Sequence, residues 1–257
     1  MYQTVLLDLS GVLYEGESLV PGAVAAVNRL RQAGLTLRFV TNTSRQPAGA
    51  VVDKLRHLGF DLDEAELFTA PYAARRWLRA GGYSPHLLVH PDLRGEFAQM
   101  DQTQPNAVLL ADAEDELNYR NLDEAFALLL EGAPLLAIGN NRYFRDSDRL
   151  HLDVGPFVRA LEYAADIEAQ IAGKPSRLFF EQVLADAGCP PEQALMVGDD
   201  VQADVQGALD AGLHGCLVRT GKYRDGDEKR LTGNAMVEDS IASLVTRLEE
   251  RGSSNED

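Results

Sequence analysis

The chain has 257 residues, 45% of them hydrophobic and 25% charged, enough to bury one large core or two of moderate size. Its 40 acidic against 24 basic residues leave a net charge of −16, a field that repels nucleic acid and anionic membrane surfaces. Cys189 and Cys216 have no CxxC partner, there is no leader-like N-terminus, and no run approaches the ~18 apolar residues of a membrane span, so a cytoplasmic protein without zinc ribbon or disulfide framework is expected.

Strand-like and helix-like segments alternate from the start, the pattern of an α/β protein with a parallel sheet. "TVLLDL" is the first strand. "PGAVAAVNRLRQAG" follows as a helix, with Pro21 suited to the first turn, Val24, Val27 and Leu30 at helical spacing, and Gly34 at the stop. "LTLRFV" is a second strand ending on Thr41-Asn42, and "PAGAVVDKLRHLG" a second helix. The middle of the chain reads as a separate α/β region, with strands at "HLLVH", "NAVLLA" and "PLLAI" and helices at "NYRNLDEAFALLLEG" and "GPFVRALEYAA". After it come a helix at "PSRLFFEQVLADAG", with Phe179-Phe180 as packing residues, a strand at "ALMVG", a helix at "VQADVQGALDAG" and a strand at "HGCLVR". The tail "RGSSNED" reads as disordered.

Three chemical features fall just past the carboxyl ends of expected strands, where open α/β sheets bind ligands. They are Asp8, Thr41-Asn42, and the loop "GDDVQAD" with Asp199, Asp200 and Asp204. Lys174, in "AGKPS", precedes a helix and can reach the same crevice. Taken singly, each has an ordinary explanation as a turn, a helix cap or a solvated side chain. Together they suit phosphoryl transfer. Asp8 and Asp199 offer hard oxygen ligands to Mg²⁺, and Asp8 a carboxylate to attack phosphorus. Thr41 and Asn42 offer hydrogen bonds, and Lys174 the positive charge that two carboxylates facing a phosphate require. Asp200 and Asp204, four residues apart on one helical face, would orient the loop and metal-bound water. Lys222 in "RTGKYR" follows a strand and could edge the site, but reads more simply as a solvated lysine.

The order Asp8, Thr41, Lys174, "GDDVQAD" resembles the four motifs of the haloacid dehalogenase superfamily of phosphatases and covers nearly the whole chain. The long interval between Thr41 and Lys174 is similar to that of the branch with a C2-type cap. "LLDLSGVLY", "RFVTNTS", "LDVGPFVRALEYA", "GKPS", "VGDDVQADVQGA" and "VRTGKYR" extend the resemblance through both regions. It implies a Rossmann-like parallel-sheet core from residues 1–72 and 171–257, with a smaller α/β C2-type cap at 73–170. It further implies that Asp8 is the nucleophile, that Asp8, Ser10 (through its main-chain carbonyl) and Asp199 are the protein's Mg²⁺ ligands, and that Thr41, Asn42 and Lys174 bind the phosphoryl group. Cap loops would supply leaving-group contacts, Asp112 and Asn140 among them, and a homodimer is the implied state.

One departure concerns Ser10. Most phosphatases of the superfamily carry a second Asp two residues after the nucleophile, where it protonates the leaving group and then activates water. A serine hydroxyl is a poor general acid at pH 7, and such catalysis typically contributes about 10²–10⁴-fold. The deficit matters least for leaving groups that need no proton from the enzyme. That favours P–O–P substrates such as pyrophosphate and P–N substrates, and the resemblance implies P–N compounds of phospholysine or phosphohistidine type, either a small phosphorylated molecule or a phosphoamino acid. Two other readings stand beside this one. The first is a phosphatase of a nucleotide, sugar phosphate or similar metabolite, and the second a catalytically weak protein that binds a phosphorylated ligand or partner.

Overall fold

A computed structural model describes residues 2–146 and 149–253. The first strand, β1 (Thr4–Asp8), leads through a small hairpin, β2 (Tyr14–Glu15) and β3 (Ser18–Leu19), into α1 (Ala23–Gln32), β4 (Thr36–Thr41) and α2 (Ala48–His57). Next come β5 (Leu67–Thr69), α3 (Ala70–Ala80), β6 (Pro85–Leu88), β7 (Ala107–Leu110), α4 (Tyr119–Leu130) and β8 (Leu135–Ala137). A second hairpin, β9 (Tyr143–Asp146) and β10 (Arg149–Leu152), precedes α5 (Gly155–Ala165) and β11 (Gln170–Ile171). The remaining elements are α6 (Arg177–Ala187), β12 (Ala194–Gly198), α7 (Gly207–Asp210), β13 (His214–Val218), β14 (Met236–Glu238) and α8 (Ile241–Ser253).

The chain divides into two compact units. The first comprises Met1–Thr41, Val51–Phe68 and Phe180–Asp257, the second Asn42–Ala50 and Thr69–Phe179. In the first unit a six-stranded sheet has the order β14-β13-β12-β1-β4-β5. Its central strand β1 pairs in parallel with β4 on one side and β12 on the other, Leu6 lying opposite both Arg38 and Met196. β1 is apolar on both faces because helices cover both, and Val5, Leu6 and Leu7 are fully buried. The chain leaves β1 toward β4 and later returns on the opposite side, so the strand order reverses at the carboxyl end of β1. Asp8 stands at that point.

The second unit has its own parallel sheet, β11-β8-β7-β6. Its core joins Leu88, Val108 and Leu110 of the sheet region to Leu129 of α4 and Val158 and Leu161 of α5. An α/β fold with a parallel-sheet core was the expected class, and it is present. No helix among the described residues is long and apolar enough to cross a membrane.

Three elements differ from the sequence reading. The segment 201–206 is a wide π-helical turn, not the start of a regular helix, and only 207–210 are α-helical. The carbonyl of Asp200 accepts from both Asp204 N and Val205 N, at 3.1 and 3.3 Å, and the second of these bonds widens the turn. The β9–β10 hairpin carries no alternation strong enough to announce it. In the tail, Arg251–Ser253 complete α8, whereas 254–257 lie outside the described residues.

Candidate active site

The first unit brings three carboxylates together beyond the sheet. Asp8, Asp199 and Asp204 each offer an oxygen, and these atoms all lie within 4.8 Å of one another. Asp8 is the last residue of β1, and Asp199 follows the last residue of the neighbouring strand β12. Parallel pairing of β1 with β12 therefore sets the two acids side by side. Asp204 reaches them because the wide turn folds it back over the strand end. It is only 1% exposed, and its Oδ2 accepts from Asp200 N at 3.2 Å. The sequence reading put Asp204 on one helical face with Asp200, orienting the loop and metal-bound water; the turn is π-helical and sets Asp204 among the converging carboxylates.

Asp200 does different work. Its Oδ1 accepts from Gln202 N and Ala203 N, both at 3.0 Å, which caps the turn, and its Oδ2 lies 3.3 Å from Lys222 Nζ. Burial acts to raise its pKa, but the Ala203 and Gln202 amides and the Lys222 ammonium together hold it below the usual value. Asp199 goes the other way. Burial pushes its pKa up to about 6, with Asp204 adding to the rise and the Lys222 amide opposing it.

The segment Thr220–Lys222, after β13, closes this cluster from above. Lys222 N donates to Asp199 Oδ2 at 2.7 Å, and Gly221 N donates to Glu15 Oε1 at 2.7 Å. Thr220 Oγ1 donates a short bond to the carbonyl of Gly11. Gly11 (φ +91°) and Gly221 (φ +64°) both have left-handed backbones, and a Cβ on either would overlap the Asp199 carboxylate. Side-chain-free positions are what let two loops approach one carboxylate. On the sequence alone Lys222 could edge the site, with a solvated lysine the simpler reading; the approach of Thr220 and Gly221 was missed. The signal available was a Thr-Gly pair directly after a core strand, the same topological position that marks Asp8 and Asp199.

Ser10 is exposed and bridges to Tyr14, with Gly11 N donating to Tyr14 O at 2.7 Å. Thr41 ends β4, the other neighbour of β1.

In the second unit the side chain of Asn42 makes a two-bond clasp with the main chain of Lys174. Asn42 Nδ2 donates to Lys174 O and Lys174 N donates to Asn42 Oδ1, both at 2.8 Å. Lys174 is 5% exposed, far from the solvated lysine that its isolated motif would suggest. Asp112, 6% exposed, follows the strand β7, and its Oδ2 accepts from Arg45 Nε at 2.6 Å. Asn140 is exposed and lines a groove with Tyr143, Leu152 and Arg159.

Comparison with known proteins agrees with this geometry. Residues 5–102 match the haloacid dehalogenase-like hydrolase family and residues 171–244 the HAD-hydrolase-like family. The chain is 47% identical over 234 residues to the phospholysine phosphohistidine inorganic pyrophosphate phosphatase of Xenopus laevis, covering 88% of this chain and 87% of that one. It is 46% identical over 229 residues to haloacid dehalogenase-like hydrolase domain-containing protein 2 of Homo sapiens, covering 89% and 88%. Among solved structures it superposes on the p-nitrophenyl phosphatase from Archaeoglobus fulgidus with a TM-score of 0.86, at 22% identity over 96% of this chain and 99% of that one. The 4-nitrophenylphosphatase from Thermotoga maritima gives 0.84 at 27% identity, over 95% and 97%. A parallel-sheet core with acids at the ends of adjacent central strands, matched over nine-tenths of its length by proteins of one kind, places this chain in the haloacid dehalogenase superfamily of hydrolases, as a phosphatase.

Proposed function

We propose that the protein is a Mg²⁺-dependent phosphohydrolase that works through an aspartyl-phosphate at Asp8 and favours pyrophosphate or P–N substrates of phospholysine or phosphohistidine type. The observation that carries this reading is the convergence of Asp8 with Asp199 and Asp204 at the strand-order reversal, with serine, not a carboxylic acid, two residues after Asp8. The name of the Xenopus laevis relative supports the substrate class.

Three carboxylate oxygens within 4.8 Å form a hard donor set of the kind that suits Mg²⁺. Asp8, Asp199 and the main-chain carbonyl of Ser10 would hold the ion, with Asp204 and Asp200 shaping the loop around it. When bound, the ion offsets carboxylate charge that would otherwise repel a phosphate. Asp8 then attacks phosphorus, a new P–O bond forms, and the bond to the leaving group breaks with its electron pair. Thr41, Asn42 and Lys174 bind the phosphoryl oxygens, with Lys174 balancing their charge. Phosphate leaving from pyrophosphate is a weak base, and the nitrogen of a phosphoramidate takes its proton from solvent, so neither calls on position 10. Water then attacks the acyl phosphate, releasing phosphate and restoring Asp8.

In this reading residues 1–72 and 171–257 act as the core and 73–170 as the cap, whose loops, Asn140 included, select the leaving group, and the protein works as a homodimer in the cytoplasm. The test is phosphate release with Mg²⁺ from pyrophosphate, a phosphoramidate and an alkyl phosphate, by the wild type and Asp8→Asn. Release from the first two that requires both Mg²⁺ and Asp8, with little from the ester, is the expected result. Faster release from a nucleotide or sugar phosphate than from either would replace the substrate class.

A further inference from the structure

Between β4 and α2 the chain runs as an irregular loop, 42–47, and its path is set by side-chain anchors within the second unit. At one end Asn42 clasps the main chain of Lys174. At the other, Glu96 Oε1 accepts from Ala48 N at 2.9 Å at the start of α2, and Arg75 pairs with Glu96 at 3.3 Å. Between them stands Arg45. Its Nε donates to Asp112 Oδ2 at 2.6 Å, and its Nη1 lies 3.4 Å from Glu114 Oε1. Its guanidinium also sits 4.5 Å from the centroid of the Phe144 ring. Glu114 is tied further to His90 Nε2 at 3.4 Å, and Glu114 N donates to Asp112 Oδ1 at 3.3 Å.

The Asp112 side chain is 8% exposed and paired with Arg45, and removing one partner of a buried ion pair is strongly destabilising. That dependence fixes Arg45, and Arg45 lies three residues from Asn42 on a loop that has no regular structure to hold it. We infer that Arg45 and Asp112 are positioning residues. Their ion pair holds the loop that presents Asn42, and through Asn42 the main chain of Lys174, so the pair governs affinity for the phosphoryl group and not the choice of leaving group. This rests on the reading above that Asn42 and Lys174 bind that group. It gives Asp112 a different task from the leaving-group contact expected from sequence.

The test uses Arg45→Gln, Asp112→Asn, the double variant and Arg45→Lys in the full chain, with Asp8→Asn as control. Two quantities are read: steady-state kinetics on pyrophosphate and p-nitrophenyl phosphate, and equilibrium binding of inorganic phosphate by ³¹P NMR, which needs no turnover. Arg45→Gln and Asp112→Asn should each raise KM and weaken phosphate binding by about 10- to 100-fold, equally for both substrates, since a displaced positioning loop costs on that order. kcat should change by less than about 3-fold, the double variant should be no worse than the weaker single one, and Arg45→Lys should recover most of the loss. Unchanged phosphate binding, losses confined to one leaving group, or additive losses would overturn the assignment. If Arg45→Gln does not fold, Asp112→Asn and Arg45→Lys carry the same comparison. Turnover that persists in Asp8→Asn counts against the functional reading. Asp8-dependent turnover that is indifferent to Arg45 and Asp112 counts against this pair alone.

Discussion

Among single residues, Ser10 and Asp199 carry the predictions closest to the chemistry. Replacing Ser10 by Asp supplies a carboxylic acid at the position from which leaving groups are protonated. Hydrolysis of an alkyl phosphate by Ser10→Asp should therefore rise by at least about 10-fold, toward the 10²–10⁴-fold typical of general acid catalysis, while pyrophosphate hydrolysis gains little. A steady-state comparison of the two substrates checks this, and equal gains on both would contradict the role given to the serine. Asp199 makes a prediction about pH. Its folded-state pKa of about 6 lies above the ordinary carboxylate value, so between the two the folded chain holds a proton that the unfolded chain has lost. The stability this contributes is present at acid pH and is lost as pH rises through about 6. A divalent cation answers the resulting negative charge at neutral pH and competes with the proton at acid pH. The rise in Tm on adding Mg²⁺ should thus be larger at pH 7.5 than at pH 5, and a larger rise at pH 5 would count against Asp199 as a ligand.

Loops at the ends of strands carry the site, and they divide what was legible in the sequence from what was not. β1, β12 and β13 announced themselves because strands buried on both faces read as apolar runs, β4 through its Leu, Phe and Val, and α1, α2 and α6 because apolar spacing is bounded by Pro and Gly. Asp8, Thr41, Asn42 and Asp199 were then placed by topology alone. The π-helical turn at 201–206 was not legible, because it depends on one carbonyl, that of Asp200, accepting two bonds, and apolar spacing is the same for either kind of turn. The approach of Thr220–Lys222 to Asp199 joins loops far apart in sequence, and the Arg45–Asp112 pair likewise; local patterns hold no record of such contacts. Both loops at Asp199 tolerate no side chain. Gly11→Ala and Gly221→Ala should displace its carboxylate and weaken Mg²⁺ binding by at least about 10-fold, while circular dichroism shows the fold retained. Wild-type Mg²⁺ affinity in both variants, measured by titration calorimetry, would contradict the closeness of these loops.

For the molecule as a whole, the proposed anionic substrate would meet a net charge of −16, and in the proposed mechanism Lys174 and a bound cation answer it. The second unit exposes Tyr143, Leu150 and Leu152 together along the β9–β10 hairpin. In the proposed homodimer these residues are the apolar surface to cover. Light scattering should then give twice the 28.1 kDa chain mass, and Leu150→Glu with Leu152→Lys should lower it toward a single chain. A monomeric wild type would remove the dimer from this account without touching the chemistry at Asp8.

That chemistry is tested most directly by rapid acid quench during turnover of p-nitrophenyl phosphate and pyrophosphate. In the proposed mechanism no carboxylate at position 10 activates water, so breakdown of the acyl phosphate would be the slow half-reaction. The expected result is a burst approaching one leaving group per chain, a slower steady rate, and phosphate recovered covalently on the peptide containing Asp8, all lost in Asp8→Asn. Release without a burst, with no label on Asp8 and with Asp8→Asn still active, would show that the phosphoryl group passes directly to water.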